Sequence, residues 1–154
     1  MINDADNFQV QQLGKQDLLL FQEMIQLFET VFETERPVKA GATYLQTRLD
    51  NPGFIVLVAM EADLIVGGLT AFELPMYYAE KSELFIYDIA VDPRFQRRGI
   101  GKKLLLSLKE YCRKKGVGEF FVAAHEEDTH ALDFYQSTGG IPGKVVHFDY
   151  DVEQ

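Results

Sequence analysis

The stretch from Phe85 to Ala123 constrains this chain's fold more than any other. A β-rich run, "SELFIYDIAV" (82–91), stops at Asp92-Pro93. A long helical pattern then opens at Gly99, with Ile100, Leu104, Leu105, Leu108, Tyr111 and Cys112 on its apolar side. It closes near Gly116 after Arg113, Lys114 and Lys115, which suit the negative end of a helix dipole. A second β-rich run, "EFFVAA" (119–124), follows. Strand, helix, strand in that order is a crossover, and a crossover places its two strands parallel in one sheet.

The flanking segments fill out a mixed α/β fold. "FQVQQL" (8–13) alternates apolar and polar residues as a strand does. "LLLFQEMIQLFETVF" (18–32) has helical spacing, with Asp17 placed as its N-cap, and "ATYLQTRL" (42–49) is a short helix stopped by "DNPG". "FIVLVAM" (54–60) and "LIVGGLTAFEL" (64–74) read as a hairpin turning at Glu61-Ala62-Asp63. "THALDFYQS" (129–137) is a helix and "KVVHFDYDV" (144–152) a closing strand. The expected order is β-α-α-β-β-β-α-β-α-β. At 154 residues the whole chain, 1–154, fits one domain. No run approaches the roughly 20 apolar residues that span a bilayer. The acidic start "MINDADNF" does not read as a signal peptide, and Cys112, the single cysteine, can form no internal disulfide. A cytoplasmic protein that engages no membrane is the expectation.

Charge is distributed unevenly. Between Arg94 and Lys115 stand nine Lys or Arg and one acid, Glu110, in a chain whose formal net charge is -9. From Glu119 onward there are eight acids and a single lysine, Lys144. So acidic a chain repels a polyphosphate backbone, which argues against nucleic acid as a partner. The pattern suits a small anion held at one place and a cationic partner drawn elsewhere; it also suits acids that only keep the surface soluble.

The basic segment carries its own motif, Gln96-Arg97-Arg98-Gly99-Ile100-Gly101, opening a helix. Glycine lets backbone approach an anion, and the first helical turn offers free N–H groups and a favourable dipole. A P-loop would need glycine at 96 and Ser or Thr at 103, where Gln96 and Lys103 stand; a GxGxxG fingerprint would need glycine in place of Leu104. With "IYDIAVDP" (86–93) before it and Asp128-Thr129-His130-Ala131-Leu132-Asp133-Phe134-Tyr135 after the next strand, the motif resembles the acetyl-CoA loop of the GNAT N-acetyltransferase superfamily. Asp128 stands where that family's pattern has Asn. "SELFIYDIAV", "FQRRGIGKKLL" and "VVHFDYDV" narrow the likeness to type I aminoglycoside 3-N-acetyltransferases, from which "AAHEEDTHALDFYQSTGG" (123–140) departs.

The resemblance implies a set of roles. Backbone around Arg98, Gly99, Ile100, Gly101, Lys102 and Lys103, with Gln96 and the charges of Arg97, Arg98 and Lys102, would hold the pyrophosphate of acetyl-CoA. Ile89, Ala90 and Val91 would line the pantetheine arm, with Asp128, Ala131 and Phe134 also on the cofactor side, and a backbone N–H near Val91 would polarise the thioester carbonyl. An alkylammonium near pKa 10 must lose a proton before it attacks, and Asp88, a charge inside an apolar strand, is the first choice of base. Tyr135 is the family's usual acid for the departing thiolate. Glu83, Tyr87, Glu126, Glu127, Asp149 and Asp151 are the candidates for lining the acceptor site, the last two sharing one face of the closing strand.

The implied reaction is acetyl transfer to an aminoglycoside, at its 3-amino group. Polyamine or protein-amine acetylation, and a non-catalytic acetyl-CoA-binding module, stay open beside it. His125, His130 and His147 have no metal-ligand spacing, so no metal is expected. Cys112 reads as core. The family includes dimers, which leaves a homodimer open.

Overall fold

The computed structural model describes residues 7–153 apart from 35 and 37. They form two compact units, the first ending at Ala123 and the second beginning at Ala124. The first contains β1 (Phe8–Gln12), α1 (Leu18–Val31), α2 (Ala42–Leu49), β2 (Phe54–Glu61), β3 (Leu64–Pro75), β4 (Ser82–Val91), α3 (Ile100–Lys115) and β5 (Phe120–Val122). The second contains α4 (Thr129–Ser137). The sheet runs β1-β2-β3-β4-β5. Every pair is antiparallel except β4–β5, which is parallel as the crossover requires. Among the described residues no helix is long and apolar enough to cross a membrane.

Two adjacent glycines show which helix covers which face. A Cβ on Gly67 would press on Ile100 of α3 at 3.1 Å, whereas one on Gly68 would lie 2.5 Å from Met24 Sδ of α1. Successive strand residues face opposite ways, and directly paired residues share a face. Val58 and Ala90 pair with Gly68 and so look toward α1, where Phe21, Met24, Phe28, Leu45 and Leu49 bury against Val56, Val58 and Ala90. Ala59 and Val91 pair with Gly67 and look toward α3. The Phe21, Met24, Phe28 spacing is a helical stripe that docks on one side of the sheet. Ile100, Leu104, Leu105, Leu108 and Cys112 make the corresponding stripe on α3. Met24 is fully buried and cannot swing clear. Gly68→Ala should therefore overpack the interface, costing about 1–3 kcal/mol. A thermal melt should show a fall of several degrees in Tm, and an unchanged Tm would mean α1 sits loosely.

Two expectations need correction. Residues 144–152 alternate like a strand but form none; a ladder needs a partner edge, and this segment pairs with no described strand. It is exposed along its length, and Asp149 and Asp151 share no strand face. Asp17 stands at the N-cap of α1 without capping it; its carboxylate accepts instead from the Gly14 N–H at 2.7 Å. Asp128 caps α4, its carboxylate accepting from the Ala131 N–H at 3.0 Å, a local role that Asp fills as readily as the Asn of the family pattern.

Candidate active site

β4 contains one irregularity, and it places Asp88. Ile86 pairs with Ala71 and Asp88 with Thr70, so Tyr87 is an extra residue with no partner on β3. Such a bulge shifts the side-chain alternation by one. Before it, Glu83 and Phe85 pair with Leu74 and Phe72 and look toward the α1 face; after it, Asp88 and Ala90 do so. In a regular strand Asp88 would share the face of Leu84 and Ile86, which are buried on the α3 side. The bulge instead brings the carboxylate onto the side that α1 and α2 only partly cover. The Asp88 N–H donates to Thr70 Oγ1 at 3.2 Å, fixing the backbone there. Burial pushes the Asp88 carboxyl above the ordinary carboxylate range, and the nearby Arg36 cation pulls partly the other way. A carboxylate with raised affinity for protons is suited to a base's work.

Beyond β4 the chain makes a tight connection into α3. Asp92 is buried; it accepts from the Arg94 backbone N–H at 2.9 Å and from its guanidinium at 2.7 Å, which holds the Asp92 carboxyl below its usual range. The guanidinium carbons of Arg94 and Arg98 lie 5.7 and 5.5 Å from the centroid of the Phe95 ring. Gln96 Nε2 donates back to the Val91 carbonyl at 3.3 Å. Arg97 adopts φ 63°, a conformation that non-glycine residues rarely hold and that clusters at functional sites. Gly99 follows at φ 80° as the N-cap of α3, a conformation that glycine adopts without a steric cost. The first N–H in α3 with a helical acceptor is that of Lys103, to the Gly99 carbonyl at 3.0 Å. Ile100, Gly101 and Lys102 precede it in a turn whose N–H groups helix geometry leaves for an external anion.

The cations of this loop divide into two sets. Arg98 pairs with Glu61 at the end of β2, Nη2 to Oε1 2.6 Å, so its charge ties the loop to the hairpin. The pair lowers the Glu61 carboxyl below its usual range. Arg94 belongs to Asp92. Arg97 and Lys102 are exposed and, among the described residues, have no ion-pair partner; Lys103 Nζ sits 5.2 Å over the Phe8 ring. Free N–H groups, a left-handed glycine and two uncommitted cations form a fitting cradle for a pyrophosphate.

The other expected residues fall as follows. Ile89 and Val91 are half-buried on β4, next to the start of the loop, and Glu83 is half-buried at the strand's beginning. Tyr87 is exposed, its ring set edge-on to those of Phe72 and Phe85. In the second unit, Ala131, Phe134 and Tyr135 are half-buried on α4, and the Phe134 and Tyr135 rings lie 5.3 Å apart. The Gly140 N–H donates to the Tyr135 carbonyl at 2.8 Å, closing the helix. Glu126 and Glu127 lie exposed in the turn before α4. Asp149 pairs with His147 at 3.2 Å, and Asp151 accepts from the Glu153 N–H. Glu61, Thr70 and Arg36 escaped the sequence reading, because each meets the site through pairing or packing that no local spacing announces. Cys112 is buried on α3, and burial pushes its thiol up, as befits a core residue rather than a nucleophile.

A model of the acetyltransferase (GNAT) family matches residues 21–140. Among solved structures, an aminoglycoside acetyltransferase from an uncultured soil metagenomic sample, in complex with sisomicin, is 41% identical with a TM-score of 0.92, covering 96% of this chain and 97% of that one. A second aminoglycoside acetyltransferase from such a sample is 35% identical, TM-score 0.89, covering 94% and 98%. The ribosomal protein bS18-alanine N-acetyltransferase of Haemophilus ducreyi is 30% identical over 114 residues, 73% of this chain and 74% of that one. With a mixed five-stranded sheet, a glycine-capped basic loop between β4 and α3, and a match that spans most of its length, the chain is an acetyltransferase and belongs to the GNAT family.

Proposed function

We propose that this enzyme transfers acetyl from acetyl-CoA to an amino group of an aminoglycoside, the 3-amino group being the position the sequence resemblance favours. The observation that carries the acceptor class is the 41% identity, over 96% of the chain, to an aminoglycoside acetyltransferase solved with sisomicin. The formal net charge of -9 suits a polycationic acceptor, and the family match over residues 21–140 supports reading the chain as one catalytic domain. When bound, acetyl-CoA supplies the activated acyl group. The N–H groups of Ile100, Gly101 and Lys102, with the charges of Arg97 and Lys102, bind its pyrophosphate. Gln96, Arg98 and Gly99 shape that loop, and Ile89, Ala90 and Val91 offer their strand to the pantetheine arm. Asp88 takes the proton of the acceptor ammonium, and Tyr135 gives a proton to the departing thiolate. Thiols of pKa about 8.5 leave reluctantly as anions, which is why an acid is needed.

Acetyl-CoA, purified protein and a panel of sisomicin, spermidine and an alanine-initiated peptide, assayed for free thiol, test the reading. Turnover of sisomicin in preference to the others is the expected result; no turnover of any aminoglycoside overturns it. A protein N-terminal amine is the second reading, favoured by the 30% identity to the bS18-alanine enzyme, and the peptide arm addresses it. The loop carries a separate expectation. Arg97→Ala and Lys102→Ala should each raise the KM for acetyl-CoA by roughly tenfold, the scale of one lost charge-assisted hydrogen bond. The acceptor KM should stay where it was, and equal shifts in both would detach these cations from the donor site.

A further inference from the structure

Aromatic side chains cross the sheet in an unbroken line on the face that bears Asp88. The line starts under α1, where Phe21 meets Phe54 at 5.8 Å between ring centroids. It continues from Phe54 to Phe72 at 4.9 Å, Phe72 to Tyr87 at 5.9 Å, Tyr87 to Phe85 at 6.0 Å and Phe85 to Phe121 at 5.0 Å. Its first two rings are core. Beyond Phe54, α1 and α2 no longer cover it: Phe72 is 37%, Phe121 46% and Tyr87 62% exposed. The pairings Phe54–Phe72, Phe72–Phe85 and Phe85–Phe121 put these rings on one face, which Glu83, Asp88 and Ala90 share. Cross-strand aromatic pairs stabilise a sheet, but that gain needs no solvent-facing rings three strands wide.

We propose that Phe72, Phe85, Tyr87 and Phe121 form a stacking floor for the saturated rings of the acceptor, with Glu83 and Asp88 taking its ammonium groups; this rests on the aminoglycoside reading above. Ring faces carry the negative side of the aromatic quadrupole, so they attract ammonium groups as well as the C–H faces of a saturated ring. Two carboxylates on the same face supply the charge complement. The pairs at the two ends, with interplanar angles of 30° for Phe54–Phe72 and 20° for Phe85–Phe121, are stacked with a face turned to each partner, and Tyr87, the most exposed of the rings, stands edge-on to Phe72 and Phe85 between them. A linear polyamine reaches the same carboxylates but lays less apolar C–H surface on the exposed rings. The floor thus selects a ringed polyamine over a flexible one. The bulge matters here too: it inserts Tyr87 between Phe85 and Asp88 without turning the carboxylate away from the rings.

Steady-state kinetics of Tyr87→Ala, Phe121→Ala and Tyr87→Phe, with sisomicin and with spermidine, test the floor. Each alanine variant should raise the sisomicin KM by roughly five- to tenfold. The spermidine KM should move much less and the acetyl-CoA KM not at all, the last also showing that the variants are folded. Tyr87→Phe, which keeps the ring, should stay within about twofold of wild type. An active wild type whose alanine variants keep the sisomicin KM overturns the floor while leaving the substrate reading standing. So does a Tyr87→Phe variant as weak as Tyr87→Ala, since the hydroxyl and not the ring would then matter. Alanine variants that keep the KM but change sedimentation assign the rings to a contact between copies, again overturning it. A wild type inactive on every ringed amine overturns both.

Discussion

Asp88→Asn is expected to lower kcat by roughly 10²-fold or more and, at neutral pH, to make the protein more stable. Both effects come from one cause. The carboxylate is half-buried, and that burial raises its proton affinity despite the opposing Arg36 charge. As a base it must be ionised, so the wild-type kcat/KM should rise with pH along a limb lying above the ordinary carboxylate pKa of about 3.9. The amide that replaces it cannot accept a proton, and the variant should lose that limb with its activity. For stability the sign follows from proton linkage. A group whose folded pKa is raised binds more protons folded than unfolded between the two values, so stability falls as pH rises through the folded pKa. Above that range the folded state holds a costly partly buried charge, which the amide removes while keeping the shape and leaving the backbone N–H bond to Thr70 in place. The variant's Tm advantage should be present at pH 8 and fade toward pH 4. A variant inactive but no more stable at any pH would mean that the carboxylate is solvated; a fully active variant would remove Asp88 from the chemistry.

The same residue shows what a sequence can and cannot disclose. A charge inside an apolar strand marked Asp88, and β4 itself was legible to the residue, Ser82–Val91, because an apolar run ending in Asp-Pro leaves little choice of boundary. The helix end at Gly116 was equally plain from glycine and cation signals. Which face Asp88 occupies was not legible. Simple alternation sends it toward α3, and only the pairing with β3 exposes Tyr87 as the extra residue. Nor was the fate of Arg98. Its sequence neighbours suggest a cation for an external anion, but the β2–β3 turn carries Glu61 to within 2.6 Å of it, 37 residues away along the chain. The closing segment is the converse case. "KVVHFDYDV" has a strand's alternation, yet alternation supplies only a side-chain pattern. The hydrogen bonds that make a strand come from a neighbour, which the local sequence does not name.

Tyr135→Phe is the second large expectation: kcat should fall roughly 10²-fold or more, with little change in either KM. The substitution is chosen to separate two roles. Tyr135 packs its ring against Phe134 on α4, and phenylalanine preserves that contact, so a residue needed only for packing should tolerate the change. An acid should not, because the hydroxyl proton is what the departing thiolate receives. Leaving-group chemistry sharpens the distinction. CoA leaves as a poor anion, but an aryl thioester with a much more acidic thiol departs without help. With such a donor, used at saturating acceptor, the penalty of Tyr135→Phe should shrink toward wild type, while that of Asp88→Asn should persist because the acceptor ammonium still has to lose its proton. Opposite responses of the two variants to one change of donor would assign acid and base independently. If both penalties persist with the aryl donor, Tyr135 is not the acid and its loss acts through the position of α4.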